Sequence, residues 1–210
     1  MLKSFAVAPA ADDSTRGPAP RASTRFFPSR PYTTSMTETP DRFVRAFEAH
    51  EAFERADDGW FGLTTTRFGA RVTATGTDEW ALRYTVTVRA PMLSTAVVGE
   101  AVGPAVEEGW FDTYELRLED APGAVRQDVD LASYEVTERD GDAVATFEFE
   151  WGNADRAPAI AKAIAEYVEG TYVEGVVPGY EYGPPVSDLI SSARQGGEGE
   201  GEGSSGPMPL

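Results

Sequence analysis

Two similar pentapeptides carry the aromatic residues best suited to form a binding surface. Residues 57–61 read Asp-Asp-Gly-Trp-Phe and residues 107–111 read Glu-Glu-Gly-Trp-Phe. An acidic pair followed by glycine is typical of a helix end, because glycine takes the left-handed conformation that closes the last turn. Aromatic side chains dominate the energetics of both protein cores and interfaces. The aromatic residues of these pentapeptides can therefore either pack in the core or form a binding surface, and core packing is favoured. The residues of the predicted interaction surface are Trp60, Phe61, Trp110 and Phe111.

The sequence indicates no catalytic residue. His50 is the only histidine, and its place between Phe47 and Phe53 in an apolar helical pattern favours a packed side chain over a general base. A chain without cysteine cannot supply a thiolate nucleophile, a disulfide or a zinc ribbon. The sequence also lacks a G-x-S-x-G nucleophile elbow, a Walker loop and an H-E-x-x-H helix. We therefore predict no catalytic residue and no cofactor.

Two acidic pairs invite comparison with cation sites. Asp128 and Asp130, like Asp140 and Asp142, place two carboxylates two residues apart. Calcium loops need further oxygen ligands at fixed offsets, ending in a bidentate glutamate, and neither segment has that spacing. We expect only weak, non-specific cation binding and predict no metal site.

A segment rich in tyrosine, glycine and proline follows the last predicted helix. Residues 167–170 and 172–175 both read Tyr-Val-Glu-Gly, and residues 179–185 read Gly-Tyr-Glu-Tyr-Gly-Pro-Pro. The segment is either a recognition strap or an ordered connection whose rings pack on the domain. Packing is favoured, because tyrosine buries a large area at a low entropy cost.

The charge of the chain limits its partners. The 35 Asp and Glu outnumber the 18 Lys and Arg, and the formal net charge is −17. Such a chain repels nucleic acid and anionic membranes, so we expect neither as a partner. Lys3 and Lys162 are the only lysines, and acid excess with lysine scarcity predicts adaptation to high salt, where the Debye length is about 3 Å at 1 M. No apolar run has the length of a membrane span, so we expect a soluble, cytoplasmic protein.

Composition divides the chain into three parts. Residues 1–35 are rich in Pro, Ala, Ser and Thr without apolar periodicity, which predicts a disordered N-terminal extension. This part lacks the apolar stretch of a secretory signal, and Met36 directly precedes a helix start, which favours a mis-assigned start. Residues 195–210 are rich in Gly and Glu and are predicted to form a flexible acidic tail. Residues 36–194 remain as a single domain.

Hydrophobic spacing predicts the first elements of this domain. Thr39 as N-cap and Pro40 in the first turn begin a helix that ends by Gly59. Alternation of apolar and polar residues then predicts three strands. They cover residues 61–66, 68–74 and 80–89, and the last has Arg83, Thr85, Thr87 and Arg89 on its polar face.

The second half of the domain is predicted in the same way. Residues 94–108 read as a helix that Pro104 kinks or divides, and the alternation of Tyr114, Leu116 and Leu118 predicts a strand. Asp-Gly at 140–141 then joins the two strands of a hairpin, and an alanine-rich helix follows. The strands cover residues 133–138 and 143–151, and the helix residues 153–170. The order α-β-β-β-α-β-β-β-α predicts an α+β fold with three helices on a mainly antiparallel, curved sheet.

Two resemblances accompany this pattern. Residues 36–54, which begin Met-Thr-Glu-Thr-Pro-Asp-Arg-Phe, and residues 61–70, Phe-Gly-Leu-Thr-Thr-Thr-Arg-Phe-Gly-Ala, resemble a family of small uncharacterised haloarchaeal proteins. That likeness covers most of residues 36–185, supports Met36 as the start and implies no activity. The predicted element order also resembles the type III secretion chaperone-like fold, which implies a dimeric, protein-binding module.

Two hypotheses from different functional classes remain. The favoured one is a non-catalytic protein-interaction or chaperone-like module that binds a protein partner or self-associates, which fits the abundance of aromatic residues. The alternative is a small-molecule-binding protein or enzyme that uses carboxylates and tyrosine hydroxyls in a pocket between helix and sheet. Converging polar groups with shifted pKa values in a pocket would support the alternative.

Overall fold

The structure is a computed structural model that describes residues 39–77 and 79–198. This part of the chain contains both helices and strands. The helices are α1 (Asp41–Glu48), α2 (Leu93–Ala96), α3 (Pro104–Leu118), α4 (Ala157–Glu174) and α5 (Val186–Glu198). The strands are β1 (Phe53–Arg55), β2 (Phe61–Leu63), β3 (Gly69–Gly76), β4 (Leu82–Pro91), β5 (Val97–Val98), β6 (Leu131–Arg139), β7 (Asp142–Trp151) and β8 (Glu181–Tyr182).

The main sheet has six strands in the order β1-β2-β3-β4-β7-β6, and every neighbouring pair is antiparallel. β1 to β4 form a meander, and the β6–β7 hairpin joins this meander through the β4–β7 pair. β5 and β8 form a separate two-stranded antiparallel sheet. The main sheet is open, with β1 and β6 at its edges. These observations confirm the predicted α+β fold with a mainly antiparallel sheet.

One face of the main sheet forms the core beneath α1 and α4. Tyr84 of β4 stacks on Phe149 of β7 with ring centroids 5.2 Å apart, and its ring lies 6.1 Å from that of Phe43 in α1. α4 presents a buried stripe at helical spacing, as an amphipathic helix does. The larger residues of the stripe are Ile160, Ile164, Val168 and Tyr172. Complete burial of one such side chain stabilises the fold by roughly 1.5–3 kcal/mol.

The β6–β7 hairpin turns where the sequence predicts it. Asp140 (φ 56°) and Gly141 (φ 80°) both adopt the left-handed conformation that a two-residue primed turn requires. After β7, the side chain of Asn153 accepts a hydrogen bond from the backbone N–H of Asp155 over 3.1 Å. Asn153 therefore caps this helical segment, which starts where the sequence predicts a helix, although a short 3-10 turn precedes α4.

The first helix is shorter than predicted. α1 has Pro40 at the N-cap position predicted for Thr39, and it ends well before Gly59. Phe53 lies in β1, where its ring packs on that of Phe47 with centroids 4.8 Å apart. A strand and a helix can both point aromatic rings into one core, so the spacing of Phe53 along the sequence is compatible with either element.

The largest correction concerns residues 113–118, which alternation predicts as a strand and which form the last part of α3. The buried residues of α3 are Trp110, Tyr114 and Leu118, spaced four apart, and Leu116 is 65% exposed. Apolar residues at i, i+2 and i+4 fit one face of a strand. The residues at i and i+4, however, also lie on one face of a helix. Packing against α4 therefore selects the helix, which the local pattern leaves undecided.

The segment before α3 also differs from the prediction. Of the two alternatives for residues 94–108, a kinked or a divided helix, the structure has a divided one, and the segment contains α2, the unpredicted strand β5 and the start of α3. Pro104 is in the first turn of α3, where its missing N–H leaves no helical hydrogen bond unmade.

The termini of the predicted domain can be compared only in part. α5 is not predicted, and it extends to Glu198, four residues into the predicted acidic tail. The predicted extension, residues 1–35, and the remainder of the tail, residues 199–210, lie outside the described residues. Within the two described ranges, no helix combines the length and apolar character needed to cross a membrane.

Candidate functional site

The second face of the main sheet, in the described part of the chain, is lined by polar side chains. Arg83, Thr85, Thr87 and Arg89 of β4 alternate with its buried residues and are exposed or half-buried. This arrangement confirms the polar face predicted for that strand. An antiparallel sheet commonly leaves one face to water, so polarity alone defines no site. The composition at one end of the face is more specific.

A groove of about 530 Å³ lies across that end, and we call it the sheet groove. Two cross-strand rows form its floor: Arg71, Thr87, Thr146 and Glu135 in one, and Gly69, Arg89, Val144 and Thr137 in the other. Arg139 of β6 and Trp60, which precedes β2, complete its polar and aromatic lining. Four strands and the turn before β2 therefore position the groove.

Trp60 forms an aromatic wall of the sheet groove. A methyl group placed on Gly62 would lie 3.2 Å from Cζ3 of Trp60, so the indole lies directly over this glycine. Gly62 is the middle residue of β2, and its neighbours Phe61 and Leu63 point into the core. Trp60 therefore packs on the polar face, where it is half-buried.

The arginines of this face differ in their partners. Arg89 pairs with Asp142 over 2.9 Å, and Arg83, outside the groove lining, pairs with Glu150 over 2.6 Å. The hydrogen bond that Arg83 donates to the carboxylate of Glu150 raises the pKa of Arg83 above its ordinary value. Among the described residues, no carboxylate oxygen lies within 4.0 Å of a side-chain nitrogen of Arg71 or Arg139. The sheet groove thus offers two exposed guanidinium groups without an intramolecular counter-ion in the described chain.

The other three residues of the predicted interaction surface lie elsewhere. Phe61 is fully buried in β2, with its ring 5.2 Å from that of Phe43. Trp110 is 6% exposed in α3, where it stacks on Tyr114, and Phe111 is half-buried against the core. Trp60 and Trp110 do not form one paired surface, because the first lies on the polar face of the sheet and the second in the helical layer.

The two pentapeptides also differ in backbone conformation. Gly59 has a φ of 78° and belongs to the turn between β1 and β2, in which its N–H donates to the carbonyl of Ala56 over 3.2 Å. Gly109 lies inside α3. The prediction that both glycines end helices is wrong, because the first follows a strand and the second continues a helix.

His50 lies at the boundary of the core. Its Nδ1 accepts a hydrogen bond from the backbone N–H of Ala52 over 3.3 Å, and its ring meets the edge of Phe53 at 5.5 Å. These contacts match the predicted packed histidine. Of the predicted acidic pairs, Asp142 is held by Arg89, and the described residues contain no group of three or more potential metal ligands.

The tyrosine-rich segment packs on the domain, as its composition favours. Tyr172 is buried in α4, and Tyr180 and Tyr182 are half-buried against the core. The hydroxyl of Tyr182 accepts from the N–H of Val177 over 2.8 Å and donates to its carbonyl over 3.1 Å. Tyr167 donates to the carbonyl of Arg117 over 3.0 Å. The first part of the segment continues α4 beyond the predicted end at residue 170 to Glu174, and residues 175–185 form an ordered connection that contains β8.

The arginines are the site residues that sequence reasoning missed. Arg89 appears in the predicted polar face of β4, but no sequence pattern places Arg71 and Arg139 beside it. A partial signal exists, because Arg71 alternates with the apolar Ala70 and Val72 of β3. Arg139 joins the site only because β7 pairs with both β4 and β6.

Comparison with known proteins places this chain in a family without assigning it a role. The chain belongs to DUF5813, a family of unknown function, whose family model matches residues 48–192. This match confirms the expected domain of unknown function. Neither the curated proteins nor the solved structures contain a significant match to the chain.

Proposed function

We propose that this chain is a non-catalytic protein-interaction module that holds an extended, acidic polypeptide segment in the sheet groove. The observation that carries the proposal is the presence of Arg71, Arg89 and Arg139 beside Trp60 on a sheet face that no helix of the described residues covers. Of these arginines, only Arg89 has a carboxylate partner among the described residues. Acidic residues outnumber basic residues by 35 to 18 in the whole chain, yet three arginines line this groove. Their positive charge favours an anionic partner.

The spacing of the arginines favours an extended segment. Arg71 and Arg89 are diagonal neighbours on β3 and β4, because Arg71 faces Thr87 and Arg89 faces Gly69. Diagonal neighbours in a sheet are about 7–8 Å apart. Alternate residues of an extended chain are about 6.6–6.8 Å apart, since each residue advances by about 3.3–3.4 Å. Carboxylates at every second position of a partner can therefore reach both guanidinium groups.

The rest of the groove suits the same partner. Thr87, Thr137 and Thr146 supply hydroxyl donors and acceptors, and Trp60 supplies an apolar wall for a side chain or backbone. Glu135 at the far end of the first row adds a negative charge that disfavours a continuous run of acidic residues. A segment with alternating acidic and polar residues fits this pattern best.

The proposal is tested with a labelled ten-residue peptide of alternating glutamate and threonine, whose binding to the full chain is measured by fluorescence anisotropy. We expect binding that weakens with added KCl, since the Debye length falls from about 10 Å at 0.1 M to about 3 Å at 1 M. The double variant Arg71→Gln/Arg139→Gln should bind at least about tenfold more weakly, a loss of about 1.4 kcal/mol.

The single variants Arg71→Gln and Arg139→Gln should each weaken binding, and Arg83→Gln is their matched control, because it removes one positive charge from the same face outside the groove lining. It should bind the peptide like the unmodified chain. Equal weakening in Arg83→Gln would attribute binding to net charge and overturn the proposal. Tighter binding of a ten-nucleotide oligothymidylate than of the peptide would make the face a nucleic-acid surface and overturn it too.

A further inference from the structure

The two edges of the main sheet differ in length. β1 forms one edge with three residues, whereas β6 forms the other with nine. Among the described residues, no strand pairs with the outer side of β6, and Ser133, Glu135, Glu138 and Arg139 are exposed along it. A long strand edge carries a row of backbone N–H and C=O groups that can pair with another chain. The β6 edge is therefore a possible interaction surface.

β6 has few of the features that protect an edge strand from such pairing. It contains neither proline nor lysine. Its register irregularity lies between Leu131 and Ser133, at the beginning of the strand, and from Ser133 to Arg139 every residue pairs in turn with a residue of β7. The segment 133–139, which we call the regular part of β6, is therefore extended and able to accept a further strand.

A second copy of the same chain is an occupant that the geometry of a sheet can test. In a dimer with two-fold symmetry, a residue i that faces residue j requires j to face i. Facing residues of paired strands point to the same side of the sheet, so one residue must lie opposite itself at the symmetry axis. Opposite charges that face each other stabilise such a pair of strands, and like charges destabilise it. The sequence of β6 therefore selects the axis position.

Thr137 is the position that makes the charges complementary. With Thr137 at the axis, Glu135 of each copy faces Arg139 of the other, and two acid–base pairs form. With Glu135 or Glu138 at the axis, two glutamates face each other. At every position of the regular part other than Thr137, no acid of β6 faces a base of β6.

The two charged residues of this pair have no ionic partner in the described part of their own chain. No nitrogen–oxygen distance within 4.0 Å joins Glu135 or Arg139 to an oppositely charged side chain there. Both line the polar face of the sheet, but four residues along a strand span about 13 Å, so they cannot pair with each other within one copy. A second copy supplies both with a partner of opposite charge.

We propose that two copies of this chain pair their β6 strands antiparallel about Thr137, so that Glu135 of each copy faces Arg139 of the other and the two six-stranded sheets become continuous. The paired segment, residues 135–139, is short, which is typical of a weak, reversible complex.

The proposed dimer does not rest on the peptide binding proposed above. Arg139 lines the sheet groove and has a carboxylate partner in the dimer, so self-association competes with the peptide for this residue. Arg71 and Arg89 are on inner strands and stay available in both states. Each proposal can therefore fail without the other.

The test is the mass of the full chain in solution, measured by sedimentation velocity. About 1 M KCl screens the repulsion between two chains of net charge −17 beyond about 3 Å, while charges in contact still interact. Loading concentrations from about 10 to about 500 µM cover the range of a weak complex. We expect the mass to rise with concentration from 22.6 kDa toward twice that value.

Charge exchange tests the strand and its register. Glu135→Arg and Arg139→Glu should each raise the dissociation constant of the dimer at least about tenfold, because each places like charges opposite each other at two positions. The double variant Glu135→Arg/Arg139→Glu keeps the net charge and restores both pairs, so its dissociation constant should return to within about threefold of the unmodified value. Such a recovery also separates loss of pairing from loss of folding.

Arg45→Glu is the matched control, because it reverses one exposed arginine on α1, away from β6. It should dimerise like the unmodified chain. A mass of 22.6 kDa at every concentration would overturn the proposal, as it would if another segment of the chain covered this edge. A dimer that both single variants leave unchanged, or a double variant as weak as the single ones, would overturn it as well.

Discussion

The two Gly-Trp-Phe segments of this chain, at residues 59–61 and 109–111, lie in regions of opposite character. Trp60 lies over a strand glycine beside exposed arginines, in a groove open to water. Trp110 lies between two helices, stacked on Tyr114, with a buried indole nitrogen that has no partner in the described residues. The first region presents exposed charge, whereas the second encloses neutral donors among aromatic rings.

The difference shows how far a short sequence repeat determines structure. The same tripeptide enters β2 in one copy and continues α3 in the other. The surrounding residues select the element: β1 and β3 pair on either side of the first copy, and α4 packs against the second. A repeated tripeptide is therefore evidence of neither a structural repeat nor a shared function.

Truncation of the two tryptophans should give the largest contrast. Trp110→Ala should reduce the free energy of unfolding by about 3–5 kcal/mol, the usual loss for a buried aromatic residue. Trp60→Ala should cost only about 1 kcal/mol, because half-buried residues contribute less. Denaturant unfolding followed by circular dichroism in molar KCl measures both changes. Equal losses would show that the two tryptophans do not differ as core and surface residues.

Alkaline pH should act on the packing between α3 and α4 more than on the sheet groove. Burial raises the pKa values of Tyr114 and Tyr172 above that of a free tyrosine, about 10. Unfolded tyrosines lose their protons first, so this stability is complete below about pH 10 and decreases as the pH rises toward the folded-state pKa. The slope for each titrating tyrosine is about 1.4 kcal/mol per pH unit.

Denaturant unfolding at a series of alkaline pH values measures this effect. Tyr114→Phe should make the decline above pH 10 less steep, since it removes one of these tyrosines. Trp60→Phe, a variant in the sheet groove, should leave the slope as in the unmodified chain. A slope that Tyr114→Phe does not change would contradict the assignment of a buried, protonated hydroxyl.

Alanine at the two glycines should have effects of opposite sign. Gly59→Ala should destabilise by roughly 1–2 kcal/mol, the cost of a left-handed conformation for an L-residue. Its methyl group would also lie 3.2 Å from the hydroxyl oxygen of Thr39. Gly109→Ala should stabilise by about 0.5–1 kcal/mol, because alanine is the better helix former and the space is open. Thermal melts of both variants measure these changes in stability. A change in the same direction in both variants would contradict the left-handed conformation of Gly59 or the helical conformation of Gly109.

Much of the sheet could be predicted because its signals are local. The alternation of Leu82, Tyr84, Val86 and Val88 with polar residues predicts that these four share one face of a strand. All four are buried in β4. The Asp-Gly turn at 140–141 is similarly local, since few residues adopt the conformation that it needs. Such features depend on neighbouring residues in the sequence.

The sheet groove could not be predicted, because it depends on pairing between distant segments. Two strands, β4 and β7, lie between the strands of Arg71 and Arg139, which are also far apart in sequence, and the strand order alone brings them to one face. α3 is a similar case, because Tyr114 and Leu118 fit a strand or a helix until α4 packs on them. Sequence periodicity identifies faces, but it does not identify their neighbours.

The pairing of β4 with β7 has a consequence for the order of folding. β4 and β7 are joined by ten residue pairs, from Leu82 with Trp151 to Pro91 with Asp142, although residues 92–141 lie between the two strands along the chain. During synthesis, β4 is complete long before β7 leaves the ribosome. Until then, the backbone edge of β4 that pairs with β7 has no strand to bond with, and the apolar face of the meander is not fully covered. Contacts between such distant segments slow folding, and unpaired strand edges promote association between chains. The chain is therefore most prone to aggregate at the stage of synthesis when the meander is complete and β7 is not.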